Sequence, residues 1–252
     1  AALSMIAVKL QEDGVAWGSL DAEQNRALAA QAVDRLSPRL QGEILLSSQR
    51  YGYIARKLKD TLGRATAILG EHAGRSAFQP IAVELDFGNE RRIPPLVMEL
   101  DNGCTLEVVG RIDRIDAAEI DGTAYLRVLD YKSSRTELSL AKVAFGLSLQ
   151  MLVYLDVAVT HAERWLGRRA APAGELYFHV HSPVVPTKGA VSPEKASEEQ
   201  FKRYKMKGLV TADRTVARQM DLKLDKGQSD IIPLGLKADG SFYSNSSVVT
   251  DT

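Results

Sequence analysis

The chain has 252 residues, with 32 basic and 32 acidic side chains and 45% hydrophobic content. That length and apolar content suffice for a sizeable core, in one large domain or two small ones. Zero net charge excludes a global positive field, so any nucleic-acid contact must rest on a local basic surface. Cys104 is the only cysteine, which excludes an internal disulfide and a thiolate metal cluster.

In chain order, residues 1–79 read as helical. Leu3, Ile6, Ala7 and Leu10 follow helical spacing up to Asp13-Gly14. Asp21 is an N-cap signal for a second helix carrying Leu28, Ala32 and Leu36, ended by Ser37-Pro38. A third helix runs from about Ser47 to Leu69, with Tyr51, Ile54, Leu58, Leu62 and Leu69 expected on its buried side. Arg50, Arg56, Lys57, Lys59 and Arg64 fill its other face, as a solvated surface or a DNA-facing one.

From Ile81 the period changes to two. Ile81, Val83, Leu85 and Phe87 mark a half-buried strand, on which Glu84 reads as a solvent-facing residue. Leu96–Leu100, the turn Asp101-Asn102-Gly103 and the stretch from Cys104 form a hairpin signal. Gly110–Asp116 then runs to Asp121-Gly122, a tight-turn pair, and on to Val128-Leu129-Asp130-Tyr131-Lys132. Ala124, Tyr125, Leu126, Val128 and Leu129 give the second strand a dense apolar run broken only by Arg127, and it reads as the middle of a sheet. A helix is expected over 139–166, capped by Ser139 and striped by Val143, Leu147, Met151, Leu155 and Ala158. Gln150 and Tyr154 lie one turn apart on it. Leu176–Val180 is a strand bearing His179 and His181, and 183–200 reads as an exposed loop. The basic run Lys202, Arg203, Tyr204, Lys205, Met206 and Lys207 suits a backbone-tracking groove with Tyr204 as a stacking platform, or a plain solvated segment.

These elements predict an α/β (α+β) fold: a central mixed sheet flanked by helices, preceded by a helical region. The reading is of a single domain over 1–252, with helices over 1–79, sheet and helix over 80–182, and a basic excursion and tail over 183–252. No apolar run approaches the ~20 residues of a membrane span and no signal peptide is visible, so the expectation is a cytoplasmic protein without a membrane partner. The chain opens Ala1-Ala2-Leu3-Ser4 in mid-helix pattern and reads as a piece of a longer protein.

The chemistry concentrates at the second hairpin. If Asp121 and Gly122 are the turn residues, opposed residue numbers sum to 243, and Asp113 faces Asp130 with Cβ atoms roughly 5 Å apart. Two carboxylates that close repel, and a divalent cation is the usual remedy. Lys132 projects from the same strand face about 6.6 Å further on. Mg²⁺ needs only one or two carboxylates plus a substrate phosphate oxygen, and an adjacent ammonium can orient water or offset charge. The competing reading is a structural cluster in which Lys132 neutralises the aspartates.

Gly110-Arg111-Ile112-Asp113-Arg114-Ile115-Asp116, Leu129-Asp130-Tyr131-Lys132-Ser133 and Gln150-Met151-Leu152-Val153-Tyr154 together resemble the RecB-like branch of the PD-(D/E)XK nuclease superfamily. Val83–Gly88, Leu176–His181, Lys202–Gly208 and Asp230–Pro233 extend the resemblance over most of the chain, to the C-terminal nuclease domain of the AddB family. The restriction-endonuclease-like fold follows from that resemblance. So does a Mg²⁺- or Mn²⁺-dependent deoxyribonuclease, an exonuclease acting on a single strand of DNA during double-strand-break repair. An AddA-type helicase–nuclease subunit is the implied partner. Asp113, Asp130 and the Tyr131 carbonyl would hold the metal, Lys132 would be the catalytic lysine, and Gln150 and Tyr154 would face the site or the strand.

Two departures qualify the match. The family's first motif is a His on a helix preceding the region that resembles Ala1–Leu10, and no His lies near this N-terminus. The family's iron–sulfur cysteines also have no counterpart here, so the cluster is expected in the parent protein and not in these residues. The alternative is therefore a catalytically incomplete module that binds DNA or a partner. A phosphohydrolase of small substrates is a distant third, without a Gly-rich phosphate loop to support it.

Overall fold

The computed structural model describes residues 1–39, 48–134, 143, 145, 149–186 and 189–250. Seven α-helices are described: α1 Ala2–Glu12, α2 Ala22–Leu36, α3 Gln49–Gly74, α4 Gln150–Thr160, α5 Ala162–Leu166, α6 Pro193–Lys202 and α7 Arg214–Met220. The strands are β1 Gln79–Phe87, β2 Leu96–Glu99, β3 Thr105–Val108, β4 Gly110–Ile120, β5 Thr123–Lys132, β6 Ala170–His179, β7 Lys207–Thr211, β8 Gly227–Gln228, β9 Gly235–Leu236 and β10 Val248–Val249. Two compact units emerge. One gathers residues 1–75, 131–135 and 179–205, and the other 76–130, 136–178 and 206–252.

In the first unit, α2 starts where a capping box forms. Asp21 accepts from the Gln24 amide while the Gln24 side chain accepts from the Asp21 amide, which satisfies two of the donors a helix N-terminus leaves open. Ser48 caps α3 by a single bond, its hydroxyl accepting from the Tyr51 amide; Ser47 lies outside the described residues. The helices lock around Trp17, whose indole N–H reaches Asn25 Oδ1 at 3.2 Å and Thr66 O at 3.3 Å. Gly18 permits this, since a Cβ there would stand 2.7 Å from the Gly74 amide nitrogen. The expected buried stripe of α3 holds only in its second half. Leu62, Ala65, Ile68 and Leu69 are buried, whereas Ile54 and Leu58 are exposed.

The main sheet of the second unit has the order β1-β4-β5-β6-β7-β10. Pairs β1–β4, β4–β5 and β6–β7 are antiparallel and β7–β10 is parallel, which makes a mixed sheet. Between β4 and β5, Asp121 has φ 50° and Gly122 φ 78°, the two left-handed residues that a type I′ turn requires. Seven described pairs follow the expected register, from Ile120↔Thr123 to Arg114↔Leu129. On one face, Ile115, Leu126 and Val128 form a core with Phe87, Met151, Val157, Ala158 and Trp165, so α4 covers that face. Each buried Val, Leu, Ile, Phe or Met side chain among them contributes about 1.5–3 kcal/mol.

The opposite face explains why an arginine interrupts the apolar β5. Arg127 lies across from Asp116 and its guanidinium meets that carboxylate at 2.8 Å. Arg114 binds the other carboxylate oxygen at 2.5 Å, and all three side chains are buried. Phe78 stacks on Arg127 at 5.0 Å.

Three expectations need correction. The helix expected through 166 breaks at His161, after Thr160, and resumes as α5; Ser139 and Leu147 lie outside the described residues. The loop expected over 183–200 contains α6, started by the Ser192 cap and Pro193 at the first position. This helix buries no residue fully, so it lacks the stripe that periodicity detects. The basic run leads into a strand, β7, and the tail closes on it as β10, Val248 and Val249 pairing with Val210 and Thr211.

Candidate active site

The described ladder of the β4–β5 hairpin ends at Arg114↔Leu129, and the next residues outward are Asp113 and Asp130. Side chains alternate along a strand, so Asp113 shares the face of Ile115 and Asp130 that of Val128. That is the face covered by α4, not the face of the Arg114–Asp116–Arg127 cluster. Asp130 is 4% exposed and Asp113 half-buried. Tyr131 and Lys132, both half-buried, complete β5.

Helix α4 brings Gln150 and Tyr154 to the same end of the sheet. The Gln150 amide donates to the Tyr154 hydroxyl at 2.9 Å, as an i,i+4 pair permits. The Tyr154 ring stands edge-on to Phe87, centroids 5.8 Å apart. Gly110, the first residue of β4, makes room for both. A Cβ there would lie 2.9 Å from the Phe87 ring and 3.4 Å from the Tyr154 ring.

Glu84 departs from the plain alternating strand. Val83↔Arg114 and Leu85↔Ile112 place it beside Asp113 in the register, and its φ of 50° is left-handed, a backbone region that glutamate enters at a cost of about 1–3 kcal/mol. Its carboxylate lies 3.5 Å from Arg111, which pairs more closely with Asp86 at 2.6 Å. That ion pair lowers the Asp86 carboxyl below its ordinary range and raises Arg111.

A hard divalent cation fits the donor chemistry here: two carboxylates on neighbouring strands and a main-chain carbonyl, all oxygen. Among the described residues no three His, Cys, Asp or Glu side chains converge on a metal position. Such an ion would therefore keep several waters, as Mg²⁺ readily does.

The basic run is divided. Lys202 ends α6 and is held by Glu198 and Glu199, both at 3.1 Å. Arg203 is exposed, Lys205 is half-buried, and Lys207 lies in β7 opposite Tyr177. Tyr204 is no stacking platform. It is 1% exposed and its hydroxyl donates to the His181 carbonyl at 2.6 Å, leaving no ring face for a base. A tyrosine among lysines looks the same in sequence whether it points outward or anchors the segment.

A family model described as the PD-(D/E)XK nuclease superfamily matches residues 7–226. The chain belongs to this superfamily. It is 48% identical over 249 residues to an ATP-dependent helicase/deoxyribonuclease subunit of Bacillus subtilis (strain 168), covering 99% of this chain and 21% of that protein. It is also 47% identical over 248 residues to the protein of that name from Oceanobacillus iheyensis, with coverage of 98% and 21%. The protein of that name from Bacillus mycoides is 46% identical over 255 residues, with coverage of 100% and 22%. The chain thus spans about a fifth of the length of the curated relatives it matches.

Proposed function

We propose that this chain is the nuclease part of a helicase–deoxyribonuclease that processes DNA ends, hydrolysing phosphodiesters of a single strand with Mg²⁺ or Mn²⁺. One observation carries the reading: the hairpin register, described over seven pairs as far as Arg114↔Leu129, would make Asp113 and Asp130 the next opposed residues if it continues, with Lys132 two positions beyond. Family membership supplies the reaction class. The name the relatives carry, helicase/deoxyribonuclease, supplies DNA as substrate.

In this reading Asp113, Asp130 and the Tyr131 carbonyl hold the cation, which when bound polarises the scissile phosphate and activates water. Lys132 orients the attacking water and offsets charge on the phosphorane. Gln150 and Tyr154, tied to one another, steady the strand beside them. An AddA-type subunit is the proposed partner and the cytoplasm the compartment. An iron–sulfur cluster is assigned to the longer protein, outside these residues.

The test is nucleotide release from end-labelled single-stranded DNA by the full-length protein with its helicase partner, in Mg²⁺ or Mn²⁺. Asp130→Ala and Lys132→Ala are each expected to lower the rate at least about 100-fold, the scale of losing a group that acts on the transition state. Unchanged cleavage in either variant refutes the assignment. A second reading, a nuclease fold that binds DNA without cutting it, is favoured by the absence of a three-ligand cluster among the described residues. It predicts salt-sensitive DNA binding and no turnover by residues 1–252, and metal-dependent turnover by that chain would exclude it.

A further inference from the structure

Lys132 ends β5 beside a second polar cluster, entirely within the first unit. The Val180 amide donates to the Lys132 carbonyl at 2.8 Å, so the end of β6 runs alongside it. His181 follows one residue later. Its Nδ1 lies 3.0 Å from the His179 carbonyl. A carbonyl only accepts, so Nδ1 carries the proton, and Nε2 is the nitrogen left for a ligand. The ring is held in place by Tyr204, centroids 5.0 Å apart, whose hydroxyl donates to the His181 carbonyl. The next residue, Ser182, accepts from Arg64 Nη1 of α3 at 2.8 Å.

Arg64 differs from the cations that are held in ion pairs. Lys59 is paired with Asp34, Lys202 with Glu198 and Glu199, and Arg111 with Asp86. Arg64 is half-buried and, among the described residues, meets a serine hydroxyl and no carboxylate. A guanidinium has five N–H donors in a rigid fork suited to phosphate oxygens. Ser182 occupies one arm and fixes the direction of the other. The Arg64 charge is felt locally: burial raises the Tyr204 hydroxyl to about 12 while Arg64 pulls it the other way.

From this geometry we infer that Arg64, its direction set by Ser182, binds a backbone phosphate of the single strand next to the one presented at Lys132, and that His181, held by Tyr204, accepts from a base N–H of the adjoining nucleotide, the two forming one strand-binding subsite. This inference rests on the nuclease reading. It extends that reading to residues outside the three motifs. Arg64 supplies charge and bidentate geometry. His181 supplies one neutral hydrogen bond, with Nε2 accepting from a base N–H of the strand, since a phosphate oxygen has no proton to give.

The experiment measures binding of the full-length protein to a fluorescent single-stranded oligonucleotide in EDTA across a salt series, with cleavage by the metal-loaded complex assayed in parallel. Arg64→Gln is expected to weaken binding about tenfold and to lower the log–log salt slope by about 0.7, the value for one phosphate contact to a single strand. Arg64→Lys keeps the charge and loses the fork, so it keeps the slope and loses affinity. His181→Asn preserves the donor to His179 and removes Nε2, so affinity falls and the slope stays. A neutral methylphosphonate scanned along the oligonucleotide should weaken the wild type at one linkage, with no further loss there in Arg64→Gln. Failure to bind single-stranded DNA at all would sink the functional reading and the subsite together. Binding and cleavage by a protein whose Arg64 and His181 variants match the wild type, or whose losses add to the methylphosphonate effect, would refute the subsite alone.

Discussion

Asp116 and Glu175 are both buried carboxyl groups of the second unit, and their surroundings push them in opposite directions. Burial alone would raise Asp116, but the Arg114 and Arg127 charges and hydrogen bonds outweigh it and hold the carboxyl below its usual range. A lowered folded value contributes stability above the unfolded value and loses it as pH falls through the folded one. Glu175, on β6, has neither carboxyl oxygen hydrogen-bonded among the described residues. Burial raises it to about 7. The unfolded chain then releases this proton first, so stability falls as pH rises from about 4.5 to about 7 and stays low above, by on the order of 3 kcal/mol. Glu175→Gln should accordingly stabilise the protein by about 1–3 kcal/mol at pH 8 and have little effect at pH 4. Urea unfolding at the two pH values measures this, and equal effects at both would mean that Glu175 ionises normally. Little of this was legible beforehand. A glutamate in Ala170–His179 carries no mark of burial, whereas Arg127 stood out as the one charge in an apolar run and proved to need Asp116.

At the scale of elements, readability followed local chemistry. The β4–β5 hairpin was legible because Asp121-Gly122 both makes the turn and sets the register of everything beyond it. The α2 start was legible for the same reason, as a cap acts within three residues. What could not be read were decisions made by distant packing. Among these were the break at His161, the exposed first half of α3, and the left-handed Glu84 beside Asp113. Gly110 belongs in this group too, since only the fold shows that Phe87 and Tyr154 close over it. Gly110→Val should displace the Tyr154 ring and lower nuclease activity about tenfold or more, as small misplacements of positioning groups do. The thermal midpoint should fall by only a few degrees, for about 1 kcal/mol of strain. Rate and melting curve together check this, and full activity would show that Tyr154 does not position the strand.

For the whole molecule, zero net charge means that affinity for DNA has to come from where charges stand, not from how many there are. Many basic side chains are answered by a nearby acid, as Lys59, Lys202, Arg111, Arg114 and Arg127 are. Cations held in such pairs are less available to phosphates, so the salt dependence of binding counts the others that touch the strand. The sheet order could not be read from the sequence because β7 and β10 are too short to announce themselves, at five and two residues. Their pairing nevertheless has a consequence for the behaviour of the molecule in solution. The main-chain amides of Val210 and Ala212 are taken up by the carbonyls of Ser247 and Val249, so this short segment acts as a guard strip along the margin of β7. Strip it off, by ending the chain before Ser246, and β7 presents bare amides and carbonyls with a Gly-Leu-Val sequence to any neighbour. Size-exclusion chromatography of that truncated protein should show concentration-dependent self-association by strand pairing. A truncated protein with unchanged elution would mean that the margin needs no guard.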